Sequence, residues 1–183
     1  MQVTAFAAKA HGSQKRKYTA DLYIVHPVRV MELCREHTAD IAVLSAALMH
    51  DVLEDTAVSR EEIIRFLNGL MSYAKAEKTL RLVVELTDQY IKTAYPALNR
   101  RQRKEKELLR MKSISADAQT IKYADIIDNC REIVDHDAGF ARVFLEECMQ
   151  VLKILKKGNG ALYRLAFDEV EMGRTSLKKK RLA

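Results

Sequence analysis

A histidine and three carboxylates stand close together within an otherwise apolar stretch. The segment HDVLEDT begins with His50 and Asp51, and Glu54 and Asp55 follow four residues after each of them. A buried charge costs several kcal/mol unless it is paired or bound to a metal. Carboxylates this close repel one another, whereas imidazole and carboxylate are both ligands for divalent cations. The segment therefore indicates a metal site, with a surface N-cap cluster as the alternative.

A metal needs more ligands than this one segment offers. Among the five histidines, His26 lies in the apolar stretch LYIVHPVRV, directly before Pro27 at a predicted helix start. We therefore expect His26 to point inward. His11 and His37 flank predicted loops, and we expect both of them to face solvent.

A further acidic residue lies beside an apolar stripe in the segment TIKYADIIDNCREI. Ile121 and Ile127 mark the core face of a predicted helix, Asp125 lies next to that face, and Asn129 follows one turn later. Two interpretations are open for Asp125. It forms an ion pair with Lys122, or it completes a His-His-Asp-Asp ligand set.

The elements that must position these side chains are predicted to be helices. The 183 residues suit one domain, 48% of them are hydrophobic, and only 6 glycines and 2 prolines are present. Apolar residues recur with helical periodicity, and Ser59 with Glu62 forms a capping box. We predict an all-α, single-domain fold without strands. The predicted helices cover residues 2–11, 27–37, 40–54, 59–68, 71–86, 97–112, 114–134, 139–157 and 159–172.

Cysteine usage and hydropathy predict a cytoplasmic protein. Cys34, Cys130 and Cys148 are far apart and form no CxxC motif, which is typical of reduced, buried thiols. The longest apolar run, residues 41–49, falls well short of the ~20 residues that span a bilayer. No positively charged segment precedes an apolar stretch at the N-terminus. We therefore expect neither a membrane span nor a signal peptide.

The net charge of +6 fits either nucleic acid or a small polyphosphate as partner. Basic residues cluster in RRQRKEK (100–106) and KKKRLA (178–183). The first cluster is interleaved with glutamates, as on an exposed helix face. Neither cluster contains aromatic residues for base stacking, so we expect a small-molecule partner and no nucleic acid. We expect residues 176–183 to form a solvated basic tail after a domain of residues 1–175.

Four motifs, taken in order, resemble a known family. AAKAHGSQKRK, YIVHPVRV, AALMHDVLEDT and IKYADIIDN are similar to the hydrolase domain of the RelA/SpoT family, within the HD superfamily of metal-dependent phosphohydrolases. They resemble especially the stand-alone small alarmone hydrolases of the Mesh1-like type. The resemblance implies an HD-domain helical bundle. It also implies an enzyme that removes the 3′-pyrophosphate of guanosine tetra- or pentaphosphate, (p)ppGpp, a phosphoric diester hydrolase.

The resemblance also implies roles for individual residues in the chemistry. Glu54 and Asp55 would position and deprotonate the attacking water. Mixed nitrogen and oxygen ligands fit Mn²⁺ or Fe²⁺, with Zn²⁺ as a further candidate. The implied ligands of the Mn²⁺ ion are His26, His50, Asp51 and Asp125.

Substrate contacts are implied for three further residues. Arg16 and Lys17 correspond to the basic pair that precedes the HP motif, and Asn129 corresponds to the asparagine that contacts the nucleotide. An arginine can grip phosphate with a fork of donors, whereas a lysine acts as a point charge. The alternative is that Arg16 and Lys17 are ordinary solvated charges on a loop.

The sequence departs from the family pattern at several positions. The family commonly has a basic residue after the aspartate of ADxxxN and His or Tyr before the asparagine, where this chain has Ile126 and Asp128. Phe144 is nearest to an expected tyrosine. The identity of the substrate is therefore open between a guanosine nucleotide, an adenosine nucleotide and a nicotinamide dinucleotide phosphate. Alternative functions are hydrolysis of ppApp, NADPH or a dNTP, or a non-catalytic module that senses a nucleotide.

Overall fold

The computed structural model describes residues 2–182, with side chains through residue 179. The described residues form α-helices joined by loops, and the one bridge between extended segments pairs Lys15 with Leu22. The all-α prediction is confirmed. The helices are α1 (Gln2–His11), α2 (Val25–Arg35), α3 (Ile41–Met49), α4 (Val52–Asp55), α5 (Arg60–Asn68), α6 (Tyr73–Leu86), α7 (Arg100–Met111), α8 (Ala116–His136), α9 (Ala138–Ile154) and α10 (Gly160–Leu182).

Helix starts follow from local capping. The predicted capping box of α5 is present, since Ser59 accepts a hydrogen bond from the Glu62 N–H at 3.2 Å and Glu62 accepts one from the Ser59 N–H at 2.8 Å. Asn99 and Gln102 form the same arrangement at the start of α7. This second box fixes the position of the basic residues in the first turns of α7.

The predicted helix over residues 40–54 is wrong in one respect, because it is interrupted at the adjacent residues His50 and Asp51, the HD pair. Helix α3 ends at Met49, and the one-turn helix α4 begins at Val52. The His50 ring donates from Nδ1 to the Ala47 carbonyl oxygen at 2.8 Å, so a side chain occupies an acceptor at the end of α3. The HD pair therefore lies at a helix junction and not within a continuous helix.

Helix α8 lies at the centre of the molecule and contacts α2, α3, α6, α9 and α10. Most of its residues between Ala118 and Ile133 are buried, because neighbouring helices cover α8 on several sides. Helix α2 packs on both α3 and α8. The metal-ligand candidates on these three segments therefore approach one another within the core.

The last helix is longer than the sequence predicted. Helix α10 continues to Leu182, whereas the predicted helix ended at residue 172. Leu177 is buried and extends the apolar stripe by another turn. The expected boundary between residues 175 and 176 lies within this helix, and a separate basic tail stays a prediction. Ala183 lies outside the described residues.

The prediction of reduced, buried cysteines agrees with the structure. Cys34, Cys130 and Cys148 are buried and carry free thiols. Across residues 2–182, no helix combines the length and the apolar character needed to cross a membrane.

Candidate metal centre and cleft

Three segments bring four ligand atoms together. His26 lies in the first turn of α2, His50 and Asp51 form the α3–α4 junction, and Asp125 lies in the middle of α8. One ligand atom each from His26, His50 and Asp51 lies within 4.8 Å of the others. The predicted inward direction of His26 is correct, as only 1% of the residue is exposed.

The two imidazoles face the two carboxylates through their Nε2 atoms. His26 Nε2 is 3.2 Å from Asp125 Oδ1 and 3.6 Å from Asp51 Oδ2. His50 Nε2 is 3.1 Å from Asp51 Oδ2 and 3.8 Å from Asp125 Oδ1. Each imidazole Nε2 thus lies within 4 Å of both carboxylates.

The opposite ring nitrogens orient both imidazoles. His50 Nδ1 donates to the Ala47 carbonyl, and His26 Nδ1 donates to Asp128 Oδ2 at 2.7 Å. Both acceptors direct the Nε2 lone pairs of neutral rings toward the carboxylates. His50 Nε2 is fully buried without a hydrogen-bond partner among the described residues. A divalent cation with mixed nitrogen and oxygen ligands fits this donor set.

The electrostatics of the centre reflect its high density of negative charge. Burial lowers the pKa of His26 and His50, but nearby carboxylates outweigh burial and raise the pKa of both imidazoles. Asp125 and Asp128 have this effect on His26. Asp51 and Asp125 have it on His50. Burial likewise raises the pKa of Asp51 and Asp125, and nearby cationic groups reverse that effect and hold both pKa values low. A site that stabilises positive charge so strongly suits a cation.

Asp125 forms the predicted ion pair with Lys122 and also lies beside the two histidines, and its role as a metal ligand stays a prediction. Its Oδ2 accepts a hydrogen bond from Lys122 Nζ at 2.7 Å, while its Oδ1 faces His26 Nε2. Asn129 donates to the same Oδ1 at 2.6 Å. One carboxylate therefore joins a lysine, an asparagine and the ligand cluster.

Glu54 and Asp55 lie at the solvent side of the centre. The Asp88 backbone N–H donates to Glu54 Oε2 at 3.0 Å. Desolvation within the cleft and the nearby Asp88 carboxylate raise the pKa of Glu54 to about 7. Desolvation and the charge of Asp51 raise the pKa of Asp55 as well. Glu54 thus has the protonation behaviour of a general base at neutral pH.

A cleft of about 1090 Å³ opens beside the metal-ligand candidates, between α7, α8 and α9. Its inner end contains His26, His50, Asp51, Glu54 and Asp125. One part of its wall is apolar and another is cationic. The apolar lining includes Leu108, Met111, Ile126, Val143 and Phe144, and the cationic lining includes Arg100, Arg101, Lys104, Lys122 and Arg142.

The predicted substrate contacts have different positions in the structure. Asn129 lines the cleft. Arg16 is buried, and its guanidinium contacts Glu132 and donates to Asn129 Oδ1 at 3.2 Å. Lys17 is exposed and lies 3.5 Å from Asp137 Oδ2. Arg16 and Lys17 are not among the described residues that line the cleft, and substrate binding by either residue stays a prediction.

One histidine prediction is wrong. His11 is buried rather than solvent-facing, because its ring packs against Tyr23 with centroids 4.7 Å apart and Nδ1 contacts Gln14 Oε1 at 2.9 Å. The Tyr23 hydroxyl donates to Asp51 Oδ2 at 2.7 Å. His37 is exposed, as expected.

Sequence reasoning missed three kinds of site residue. Tyr23 was seen only as part of the YIVHP motif, and Asp128 only as a departure from a pattern. The cations of α7 were interpreted as an exposed helix face, although Arg100 and Lys104 are four residues apart and share one side. That spacing was the available signal for a cleft-facing pair.

Comparison with known proteins agrees with this geometry. The profile of the HD domain family matches residues 4–160. The chain belongs to the HD-domain family, a class of metal-dependent hydrolases.

Its relatives narrow the class. The chain is 32% identical over 136 residues to guanosine-3′,5′-bis(diphosphate) 3′-pyrophosphohydrolase MESH1 of Homo sapiens, covering 73% of this chain and 68% of that protein. It is 48% identical over 58 residues to guanosine-3′,5′-bis(diphosphate) 3′-pyrophosphohydrolase of Aquifex aeolicus, covering 32% of this chain and 8% of that protein.

A solved structure is similar over nearly the whole chain. Its description reads "A metazoan ortholog of SpoT hydrolyzes ppGpp and plays a role in starvation responses". The TM-score is 0.78 at 27% sequence identity, and the match covers 95% of this chain and 94% of that one. The resemblance to Mesh1-like HD hydrolases is confirmed.

Proposed function

We propose that the protein is a (p)ppGpp 3′-pyrophosphohydrolase that depends on a divalent cation. The observation that carries this proposal is the convergence of two imidazole Nε2 atoms and two carboxylates at the inner end of a nucleotide-sized cleft. The names of the similar proteins support the same substrate.

The cation would be held by His26, His50, Asp51 and Asp125. We propose Mn²⁺, and the same ligands suit Fe²⁺ or Zn²⁺. When bound, such an ion polarises a phosphoryl oxygen and lowers the pKa of a coordinated water. The buried Nε2 of His50, which has no hydrogen-bond partner among the described residues, supports a role as ligand.

Glu54 would accept the proton of the attacking water. Its pKa of about 7 leaves a large fraction ionised at neutral pH and still gives a carboxylate of useful basicity. The Asp88 N–H fixes one carboxylate oxygen. Asp55 would orient the same water from the neighbouring position.

The cleft offers separate surfaces to the parts of a nucleotide. The cationic lining from α7 and α9 suits phosphate groups, and the apolar lining around Phe144 suits a base. Asn129 lines the same cleft and donates a hydrogen bond to Asp125, and we propose that it contacts the substrate. Arg16 and Lys17 are proposed contacts on the resemblance alone.

The remaining parts of the proposal concern the setting of the reaction. Three free buried thiols support a reducing compartment, and we propose a cytoplasmic location. Removal of an alarmone would place the protein in the stringent response. A small nucleotide is the proposed partner, without nucleic acid or membrane.

The experiment is Mn²⁺-dependent turnover of ppGpp, ppApp, NADPH and dGTP, with every product identified. We expect release of intact pyrophosphate from ppGpp at the highest kcat/KM of the panel. If the protein released single phosphate from NADPH at a higher kcat/KM than pyrophosphate from ppGpp, the substrate would be NADPH and not the alarmone. Nucleotide binding without any product would identify a sensing module instead.

A further inference from the structure

The two imidazoles of the cluster are oriented by different kinds of acceptor. His50 Nδ1 donates to a neutral backbone carbonyl, whereas His26 Nδ1 donates to the carboxylate of Asp128 at 2.7 Å. The side chains of His26 and Asp128 are only 1% and 7% exposed. A charged hydrogen bond between groups buried this deeply is much less weakened by solvent than one at the surface.

Asp128 is itself held on two sides. Its Oδ2 lies 3.8 Å from an Arg16 nitrogen, and its Oδ1 lies 3.9 Å from an Arg29 nitrogen. Arg16 also contacts Glu132 and Asn129, one turn and one residue further along α8. The loop before α2 is thereby tied to the face of α8 that carries Asp128, and two arginines place positive charge beside its carboxylate.

The ionised carboxylate can only accept a hydrogen bond, so His26 must carry a proton on Nδ1. The lone pair of a neutral His26 then lies on Nε2, which faces Asp51 and Asp125.

We propose that Asp128 is a positioning residue that fixes His26 as an Nε2 ligand and strengthens it as a donor to the cation. The inference rests on the proposed cation-dependent function. Carboxylate partners of ligating histidines typically change metal affinity 10–100-fold when removed. A merely structural Asp128 would contribute to folding and leave metal affinity unchanged.

The test is the Mn²⁺ dissociation constant of the metal-stripped protein, measured without substrate by titration calorimetry. Asp128→Asn keeps the shape and an acceptor oxygen and removes the charge. We expect its dissociation constant to rise about tenfold or more. The matched control is Asp117→Asn, the same change at the start of α8, where Asp117 contacts Lys78 rather than the cluster. It should bind Mn²⁺ like the wild type.

The outcomes separate the two proposals. Equal Mn²⁺ affinity of wild type and Asp128→Asn would overturn the role of Asp128 alone, whereas absence of Mn²⁺ binding by the wild type would overturn the proposed function with it. If Asp128→Asn does not fold, the ¹⁵N chemical shifts of the imidazoles in the Zn²⁺-loaded wild type test which nitrogen of His26 binds the metal. We expect His26 to be protonated at Nδ1 and bound through Nε2, and the reverse assignment would contradict the proposal.

Discussion

The backbone N–H of Asp88 donates a 3.0 Å hydrogen bond to the carboxylate of Glu54. Asp88 thus acts on Glu54 in two opposite ways, because its N–H stabilises the ionised form and its own carboxylate destabilises it. Desolvation is the largest cause that raises the pKa of Glu54, and together with the Asp88 carboxylate it brings this pKa to about 7. Lys104 holds the Asp88 carboxylate at 2.8 Å.

Replacing Glu54 with glutamine should remove the base and spare the cation. We expect Glu54→Gln to lower kcat by about 10²–10⁴, the usual contribution of a general base, while Mn²⁺ affinity stays near that of the wild type. Steady-state kinetics and metal titration check the two parts. Glu61→Gln, on the exposed side of α5, is the control and should retain full activity. Unchanged kcat in Glu54→Gln would exclude Glu54 as the base.

The pH dependence should carry the signature of the same carboxylate. The base works when ionised, so kcat/KM should fall as the pH decreases through about 7. Asp88→Asn removes the repelling charge and keeps the backbone donor, so the pKa of Glu54 should drop. We expect the acidic limb of the profile to move to lower pH. A limb at the same pH in both proteins would show that another group titrates.

The sequence was sufficient for the helical fold, since the periodicity of apolar residues is a local pattern, and the family motifs supplied the candidate ligands. The periodicity of apolar residues predicts α8. Asp125 stands out in the sequence because it is an acidic residue beside the apolar stripe of that helix. The interruption at His50 could not be predicted, because it depends on a side chain that bonds to the carbonyl of Ala47. The raised pKa of Glu54 depends on Asp88, 34 residues away.

The cationic lining of the cleft should act on substrate binding. Arg142 lies on α9, exposed at the cleft. We expect Arg142→Gln to raise KM for ppGpp about three- to tenfold with kcat preserved, since a contact to a remote phosphate exists in ground and transition states alike. The effect should shrink at high salt. Arg131→Gln is the control, because Arg131 pairs with Glu169 outside the cleft lining. Equal KM in both variants would exclude Arg142 from substrate binding.

One ion pair should make stability depend on pH. Asp40 caps α3 by accepting from the Ala42 N–H at 2.8 Å, and Lys78 lies 2.7 Å away and lowers the pKa of Asp40. We expect Asp40→Ala to reduce the free energy of unfolding by about 1 kcal/mol at pH 7, measured by urea denaturation.

The sign of the pH effect follows from the lowered pKa. The stabilisation by Asp40 is complete above its ordinary pKa of ~3.9 and is lost as the pH falls through the lower pKa of the folded state. The difference in the free energy of unfolding between wild type and Asp40→Ala should therefore become smaller at acidic pH. Asp40→Asn keeps the capping oxygen and should lose less stability at pH 7. A difference that is independent of pH would contradict the pairing with Lys78.

Long-range contacts explain why the outer parts of the site were harder to predict. The guanidinium of Arg16 contacts Asn129 and Glu132, more than 100 residues along the chain, and its predicted contact with the substrate stays a prediction. Sequence spacing gives no signal for such a contact. The burial of His11 also depends on contacts in the folded protein, because its ring packs against Tyr23 and contacts Gln14. The composition of the neighbouring loop had predicted exposure to solvent.

The central claim is that one cation, held by His26, His50, Asp51 and Asp125, supports removal of an intact 3′-pyrophosphate. The most direct measurement strips the protein with a chelator and titrates Mn²⁺ while pyrophosphate release from ppGpp is followed. We predict no turnover in the stripped protein, recovery that saturates at one ion per chain, and no recovery in a folded Asp125→Ala variant. Turnover without a cation, or equal recovery in Asp125→Ala, would contradict the claim.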